Sequence, residues 1–229
     1  MRVYSIFRSI DGEVNSFHQG RLTTFIRFSQ CNLACSYCDT VYAQSADSGK
    51  EMSVDEILET VAKMGGNSVT ITGGEPLLQQ EGLNKLIPLL LAQGINVSVE
   101  TNGTCKPIHY TIHHTLILNG GWECAYCSYV MDFKLPSSGM YSFMHYNNFL
   151  NLQDTDWVKF VIGTRGDFDL ALYLIEILKR DGCKAQIAFS PVFGLEPSLL
   201  VQWMIDSSVD AVMSLQIHKY IWPNATKEV

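Results

Sequence analysis

The chain has 229 residues, 47% of them hydrophobic and 17% charged, which suits a single α/β domain over 1–229 with a sizeable core. Its 16 basic and 23 acidic side chains leave a net charge of −7, which argues against a protein that grips a nucleic-acid backbone. No apolar run reaches membrane-span length, nothing after Met1 resembles a secretory leader, and the seven cysteines read as reduced thiols of a cytoplasmic protein.

Residues 1–20 read as irregular, with turn chemistry at Asp11-Gly12. Leu22–Phe28, rich in β-branched and aromatic residues, reads as a strand. Ser53-Val-Asp-Glu56 is a capping box, and Val54, Ile57, Leu58 and Val61 follow at helical spacing until Gly65-Gly66. Ser68–Thr72 is a second strand, followed by a helix over 79–93 and a strand over 96–100. Tyr110–Leu118 fits either helix or strand. Strands are predicted at 128–134, 156–162, 184–189 and 211–216, with helices near 140–150, 167–180 and 197–207. Such alternation builds a parallel sheet, either open and doubly wound or a partial barrel. The polar motifs follow strands, so one face collects the chemistry.

The central motif is Cys31-Asn-Leu-Ala-Cys35-Ser-Tyr-Cys38-Asp39-Thr40, a C-x₃-C-x₂-C spacing. A structural zinc site wants four ligands, usually in two separated pairs, whereas a 4Fe-4S cluster takes one thiolate per iron. Three thiolates on one loop would leave one iron of such a cluster open to a small molecule. Free thiols, or part of a zinc site completed elsewhere, are the simpler readings. Thr72-Gly-Gly-Glu-Pro76 ends a strand, and its glycines allow close backbone approach to a ligand; alone, it also reads as a turn.

Together, the cysteine loop and Gly-Gly-Glu-Pro resemble the radical S-adenosylmethionine superfamily. That resemblance implies a partial (β/α)6 parallel barrel, with a 4Fe-4S cluster on Cys31, Cys35 and Cys38. It also implies S-adenosylmethionine on the open iron, with Gly73, Gly74 and Glu75 at the methionine amino group. In that superfamily, electron transfer cleaves the sulfonium to give a 5′-deoxyadenosyl radical. Ser9–Glu13, Gly20, Phe25–Phe28, Tyr37–Thr40, Lys134–Met140 and Gln216–Trp222 narrow the likeness to the 7-carboxy-7-deazaguanine synthase family.

The narrower resemblance implies Mg²⁺-dependent ring contraction of 6-carboxytetrahydropterin with loss of ammonia, the radical abstracting hydrogen from C6 and returning it. Thr40 matches the Mg²⁺ ligand; alone, it also reads as a turn hydroxyl. Substrate would meet Asp11, Glu13, Arg27, Thr72 and His218, and the family often has Gln where this chain has Asp11. Glu13 can accept from an N–H edge, and Arg27 can pair with a carboxylate. S-adenosylmethionine would further meet Tyr37, Glu100, Lys134 and Ser190. A flavodoxin- or ferredoxin-type electron donor and a homodimer are also implied, whereas nucleic acid and membrane are not. The alternative within the same superfamily is an activating enzyme for a glycyl-radical protein. Cys105, Cys124 and Cys127, with His109, His113 and His114, raise a second metal site, though their spacing is irregular.

Overall fold

The structure, a computed structural model, describes residues 1–110, 115–116, 122–123, 125–223 and 227–228. In chain order the strands are β1 (Arg2–Ile10), β2 (Leu22–Phe28), β3 (Lys50–Glu51), β4 (Ser68–Gly73), β5 (Asn96–Thr101), β6 (Thr115–Leu116), β7 (Trp122–Glu123), β8 (Cys127–Phe133), β9 (Trp157–Ile162), β10 (Gln186–Pro191) and β11 (Val212–Met213). The helices are α1 (Val54–Met64), α2 (Gln80–Ala92), α3 (Tyr146–Leu150), α4 (Arg165–Arg180), α5 (Pro197–Ser207) and α6 (Ile217–Ile221).

One sheet runs β11-β10-β9-β8-β5-β4-β2-β1-β3, and β6 pairs only with β7. From β2 to β11 every pairing is parallel, and β1 adds antiparallel to both β2 and β3. The parallel strands follow chain order without reversal. Crossovers of one hand then leave the helices on one side, which is the winding of a barrel and not of a doubly wound sheet. Edges remain at β11 and β3, so the barrel is partial.

The helix side is apolar: Ile26, Phe28, Ile71, Val99, Met131, Phe160 and Phe189 pack in one core with Ile57, Leu86 and Phe168. α1 begins as its capping box predicts: Ser53 Oγ accepts from Glu56 N at 3.2 Å, and Glu56 Oε2 accepts from Ser53 N at 2.7 Å. The helices over 80–92 and 197–207 fall within a residue of expectation, while the one near 140–150 shrinks to α3 after a short 3₁₀ turn. β11 keeps only two residues of the strand expected at 211–216; Ser214 N still donates to Phe189 O of β10 at 2.8 Å, while the Ser214 and Gln216 side chains bond the segment after β1.

The reading of residues 1–20 as irregular is corrected: Arg2–Ile10 is a strand. It lies near the edge with both faces part-exposed, so it lacks the clean alternation by which strands are recognised. Arg8 there caps α1, donating to Met64 O at 2.6 Å.

Residues 11–21 form a strap across the concave side of the sheet. Asp11 is 1% exposed; it accepts from Thr70 Oγ1 at 2.6 Å and lies 3.0 Å from His18 Nε2. Val14 enters a small separate core with Val130, Trp157 and Ala188. Val14 N donates to Ser214 Oγ at 3.1 Å, and Trp157 Nε1 donates to Ser16 Oγ at 2.8 Å. The strap thus ties the β2–β4 side to the β9–β11 side. Asp11→Ala removes the acceptor shared by the Thr70 hydroxyl and the His18 ring and leaves these two buried groups, 3.1 Å apart, with each other. It is expected to lower unfolding free energy by about 1–3 kcal/mol in urea titration; an unchanged value would show that Asp11 does not anchor the strap.

Candidate active site

Strand alternation sends a second set of side chains to the concave face. Arg27, Thr72, Glu100, Asp132, Lys159 and Ser190 come from β2, β4, β5, β8, β9 and β10, and Glu13 joins them from the strap. At the centre, Lys159 Nζ bonds Glu13 Oε2 and lies 3.1 Å from Asp132 Oδ1. Asp132 Oδ2 receives Lys134 Nζ at 2.7 Å, and Glu13 Oε1 receives Gln216 Nε2 at 2.7 Å. Burial opposes charge in all four ionisable groups, yet the attraction wins. Glu13 and Asp132 are lowered, and Lys134 and Lys159 are raised. Glu100 has no cation of its own. Burial and the Glu13 charge push its pKa up, and it accepts from Thr72 Oγ1 at 2.7 Å. The face therefore holds an ionised carboxylate beside a carboxyl group biased toward its neutral form.

The cysteine loop leaves the C-terminal end of β2, and the Gly-Gly-Glu segment holds its root. Gly74 N donates to Phe28 O at 3.0 Å and Glu75 N donates to Gln30 O at 2.7 Å. A Cβ on Gly73 or on Gly74 would stand 2.2 Å from Phe28 O or from Gln30 O, so neither position admits a side chain. The Glu75 carboxylate is wholly buried and accepts from Thr101 Oγ1 at 2.7 Å, Asn102 N at 2.6 Å and Leu77 N at 2.9 Å. Burial pushes its pKa up to about 7 against those donors. What this segment offers a ligand is its backbone, since the acid is engaged within the protein.

Two further loops brace the cysteines. Ser36 N and Oγ donate to Ser138 O at 3.0 Å and Ser137 O at 2.7 Å. Asn102 Nδ2 reaches Cys31 Sγ at 3.7 Å and Asn32 Oδ1 at 3.0 Å. All three thiols are part-exposed, and burial raises those of Cys31 and Cys35. Among the described residues, no three His, Cys, Asp or Glu side chains gather where a single metal ion could be held. Three free, part-exposed thiols on one loop are the donors a 4Fe-4S cluster takes, in which each thiolate meets its own iron. Beside them the Tyr37 hydroxyl is buried without a partner and pushed up to about 12 by burial, leaving a polar atom for a ligand to satisfy. Lys134 is 8% exposed and stands between Asp132 and the Cys35–Tyr37 side of the loop, near enough for its charge to act on both residues. The donor set therefore fits a cluster with S-adenosylmethionine beside it.

Past the last cysteine, Thr40 precedes a short 3₁₀ turn but makes no cap bond; Oγ1 donates to Asp39 Oδ1 at 2.9 Å. Asp39 Oδ2 receives Lys219 Nζ at 2.7 Å. Burial works against the Asp39 charge, but Lys219, the Thr40 hydroxyl and Arg27 hold its pKa down to about 2. Arg27 lies 5.8 Å from the Phe7 ring centroid and 5.9 Å from that of Tyr42, and its Nε is buried without a partner. His218 sits in the same corner: burial lowers its pKa, Glu13 and Asp39 raise it, and Lys219 and Arg27 lower it. Asp39 and Thr40 supply the hard oxygens that Mg²⁺ prefers.

The sequence-predicted residues therefore divide. Cys31, Cys35, Cys38, Tyr37, Thr40, Glu13, Arg27, Thr72, Glu100, Lys134 and His218 converge on one mouth of the barrel, and Ser190, 4% exposed, ends β10 there. Glu75 and Asp11 face inward and serve the protein. Lys159, Gln216 and Asp39 belong to the same site with no role predicted for them, and Asp132 and Asn102, expected only as polar strand ends on this face, join it through Lys159 and Cys31. The signal for Lys159 and Asp132 was a charge at every-other-residue spacing inside apolar strands. Cys124, His113 and His114 lie outside the described residues. Cys105 rests against the Thr104 hydroxyl, and burial raises the Cys127 thiol beyond the usual range.

Known proteins agree with this geometry. Residues 25–109 match the family model of the Radical SAM superfamily. The 7-carboxy-7-deazaguanine synthase of Clostridium acetobutylicum is 38% identical over 228 residues, covering 97% of each chain. That of Methanospirillum hungatei is 36% identical over 96% of this chain and 85% of its own. The Koribacter versatilis protein of the same name is 32% identical over the full length of both. QueE from Escherichia coli shares the fold at 20% identity, with a TM-score of 0.66 over 93% of this chain and 92% of QueE. Streptococcus suis SuiB bound to S-adenosylmethionine does so at 12% identity, with a TM-score of 0.52 over 83% of this chain and 51% of SuiB.

Barrel and cysteine loop together define a radical S-adenosylmethionine enzyme. Within that superfamily, the chain belongs to the 7-carboxy-7-deazaguanine synthase family.

Replacing Cys31, Cys35 and Cys38 together by Ala is expected to abolish iron binding after anaerobic reconstitution, measured as iron and sulfide per chain. Stoichiometric iron or zinc remaining on the variant would place a metal elsewhere.

Proposed function

We propose that the enzyme converts 6-carboxytetrahydropterin to 7-carboxy-7-deazaguanine with release of ammonia, using Mg²⁺. One observation carries this reading: Glu13, Arg27 and His218, a fixed acceptor, an uncommitted guanidinium and an imidazole, share the mouth at which the cysteine loop ends. When bound, the cluster and S-adenosylmethionine supply one-electron hydrogen abstraction from the substrate. The chain's own residues then bind and orient. Arg27 pairs with the pterin carboxylate, while its aromatic neighbours keep the guanidinium off the wall. Glu13 accepts from the N–H edge, and His218, its pKa lowered, stays neutral enough to exchange a proton with a ring nitrogen. Thr40 and Asp39 would hold Mg²⁺ against the carboxylate.

Cys31, Cys35 and Cys38 would carry the cluster, and the Gly73–Gly74 backbone, Tyr37, Lys134 and Ser190 the S-adenosylmethionine. Family resemblance supports a flavodoxin- or ferredoxin-type electron donor and a homodimer. A glycyl-radical protein as substrate finds less support, because these polar groups line a concave face suited to a small molecule.

Anaerobically reconstituted enzyme given carboxytetrahydropterin, S-adenosylmethionine, reductant and Mg²⁺ is expected to release 7-carboxy-7-deazaguanine and ammonia in equal amounts by mass spectrometry. An intact cluster without ring-contracted product would sink this reading. Arg27→Ala removes a charge-assisted fork of about 1.5–3 kcal/mol, so KM for the pterin is expected to rise about 10- to 100-fold. An unchanged KM would place the carboxylate elsewhere.

A further inference from the structure

Lys159 lies in the middle of an apolar strand, in Trp157-Val-Lys-Phe-Val-Ile162, and is 6% exposed. A lysine buried without partners costs several kcal/mol, and one buried only for stability is replaceable by an apolar residue. This one is surrounded instead. Glu13 meets it from the strap and Asp132 from β8, and the Glu100 carboxyl acts on it from β5. Lys134 takes the other Asp132 oxygen, Gln216 takes the other Glu13 oxygen, and His218 and Asp11 stand one group further out.

The consequence falls on Glu13. Its carboxylate has one protein donor on each oxygen, Lys159 on Oε2 and Gln216 on Oε1, so it cannot rotate. A carboxylate oxygen accepts two hydrogen bonds, so each retains one free acceptor position. The side chain is 14% exposed, so a ligand in the concave space can reach the carboxylate. Two acceptors at carboxylate spacing match two adjacent, parallel N–H donors, as in a carboxylate–guanidinium fork. The 2-amino and N3–H groups of a 2-amino-4-oxo pyrimidine ring present that pair. The 2,4-dioxo ring of a lumazine sets a carbonyl oxygen where the amine would be.

We propose that Lys159 is the positioning residue that sets substrate specificity: it holds Glu13 as a rigid double acceptor, so the site selects the aminopyrimidinone edge of a pterin over the dioxo edge of a lumazine. This inference rests on the functional reading above. A site built to bond an N–H rejects an analogue lacking it, because a buried acceptor is left facing another acceptor.

The test is equilibrium dialysis of the cluster-loaded protein with 6-carboxypterin and with 6-carboxylumazine between about pH 5 and 6.5, where a normally buried, unpaired carboxyl would protonate. Wild type is expected to prefer the pterin by about 100-fold or more, and the preference should stay flat with pH. Lys159→Arg should keep both properties. Lys159→Gln removes the cation that keeps Glu13 ionised. Its preference should be present at the upper end of the range and fall toward unity as pH drops and Glu13 protonates. If Lys159→Gln weakens both ligands equally at every pH, the lysine is structural and the proposal is wrong. If Lys159→Gln does not fold, the wild-type and Lys159→Arg profiles decide it: flat preferences in both support the proposal, and a wild-type preference that decays across the range overturns it. A wild type that binds neither compound overturns the functional reading as well; one that binds both alike overturns only this inference.

Discussion

The ion pairing of Lys159 with Glu13 and Asp132 is the constraint on which the rest of the site depends. It joins the strap to the middle of the sheet, and so the two sides of a barrel whose backbone does not close. Each member would be costly alone in this interior, and removing one leaves its partners as uncompensated buried charges. Through Asp132 the pairing continues to Lys134, whose charge acts on Cys35 and Tyr37. Ion pairs thus run from the acceptor proposed for substrate through Lys159 and Asp132 to Lys134, whose charge reaches the loop that would hold the cluster. Geometry at one end is fixed with respect to the other, as a reaction between two bound molecules requires.

Around that axis the backbone does the holding. Gly73 and Gly74 let β4 run so close to the start of the cysteine loop that no side chain fits between them. Glu75 then ties the same loop root to residues 101–102, and Asn102 reaches on to Cys31. A loop carrying three thiols is braced from three directions before any metal arrives. Preorganisation of this kind would lower the cost of assembling a cluster on Cys31, Cys35 and Cys38.

Much of this was legible in the chain. Thiol spacing, the glycines after β4 and the run of alternating strands and helices pointed to the cysteine loop and the parallel sheet, because each is a local pattern with a local cause; the choice of a barrel over a doubly wound sheet came from the family resemblance alone. The capping box at Ser53 and Glu56 formed as written. β1 was not legible, since a strand near the edge with both faces part-exposed has no period to read. Nor was the strap: Asp11 looked like a substrate contact, but only the folded chain brings Thr70 and His18 against it. Lys159 and Asp132 pair across β8 and β9, and cross-strand partners are set by sheet register, which a single sequence does not display. The Asp39–Lys219 pair spans 180 positions and was hidden for the same reason.

The central claim is that strap, sheet and cysteine loop place a pterin ring carbon next to the radical source. Its most direct test is isotopic. With carboxytetrahydropterin deuterated at C6, the account predicts deuterium in the 5′ position of recovered S-adenosylmethionine or of 5′-deoxyadenosine, appearing together with ring-contracted product. Product formed with no label in either would contradict it, because hydrogen would then have left the substrate by a route this site does not provide.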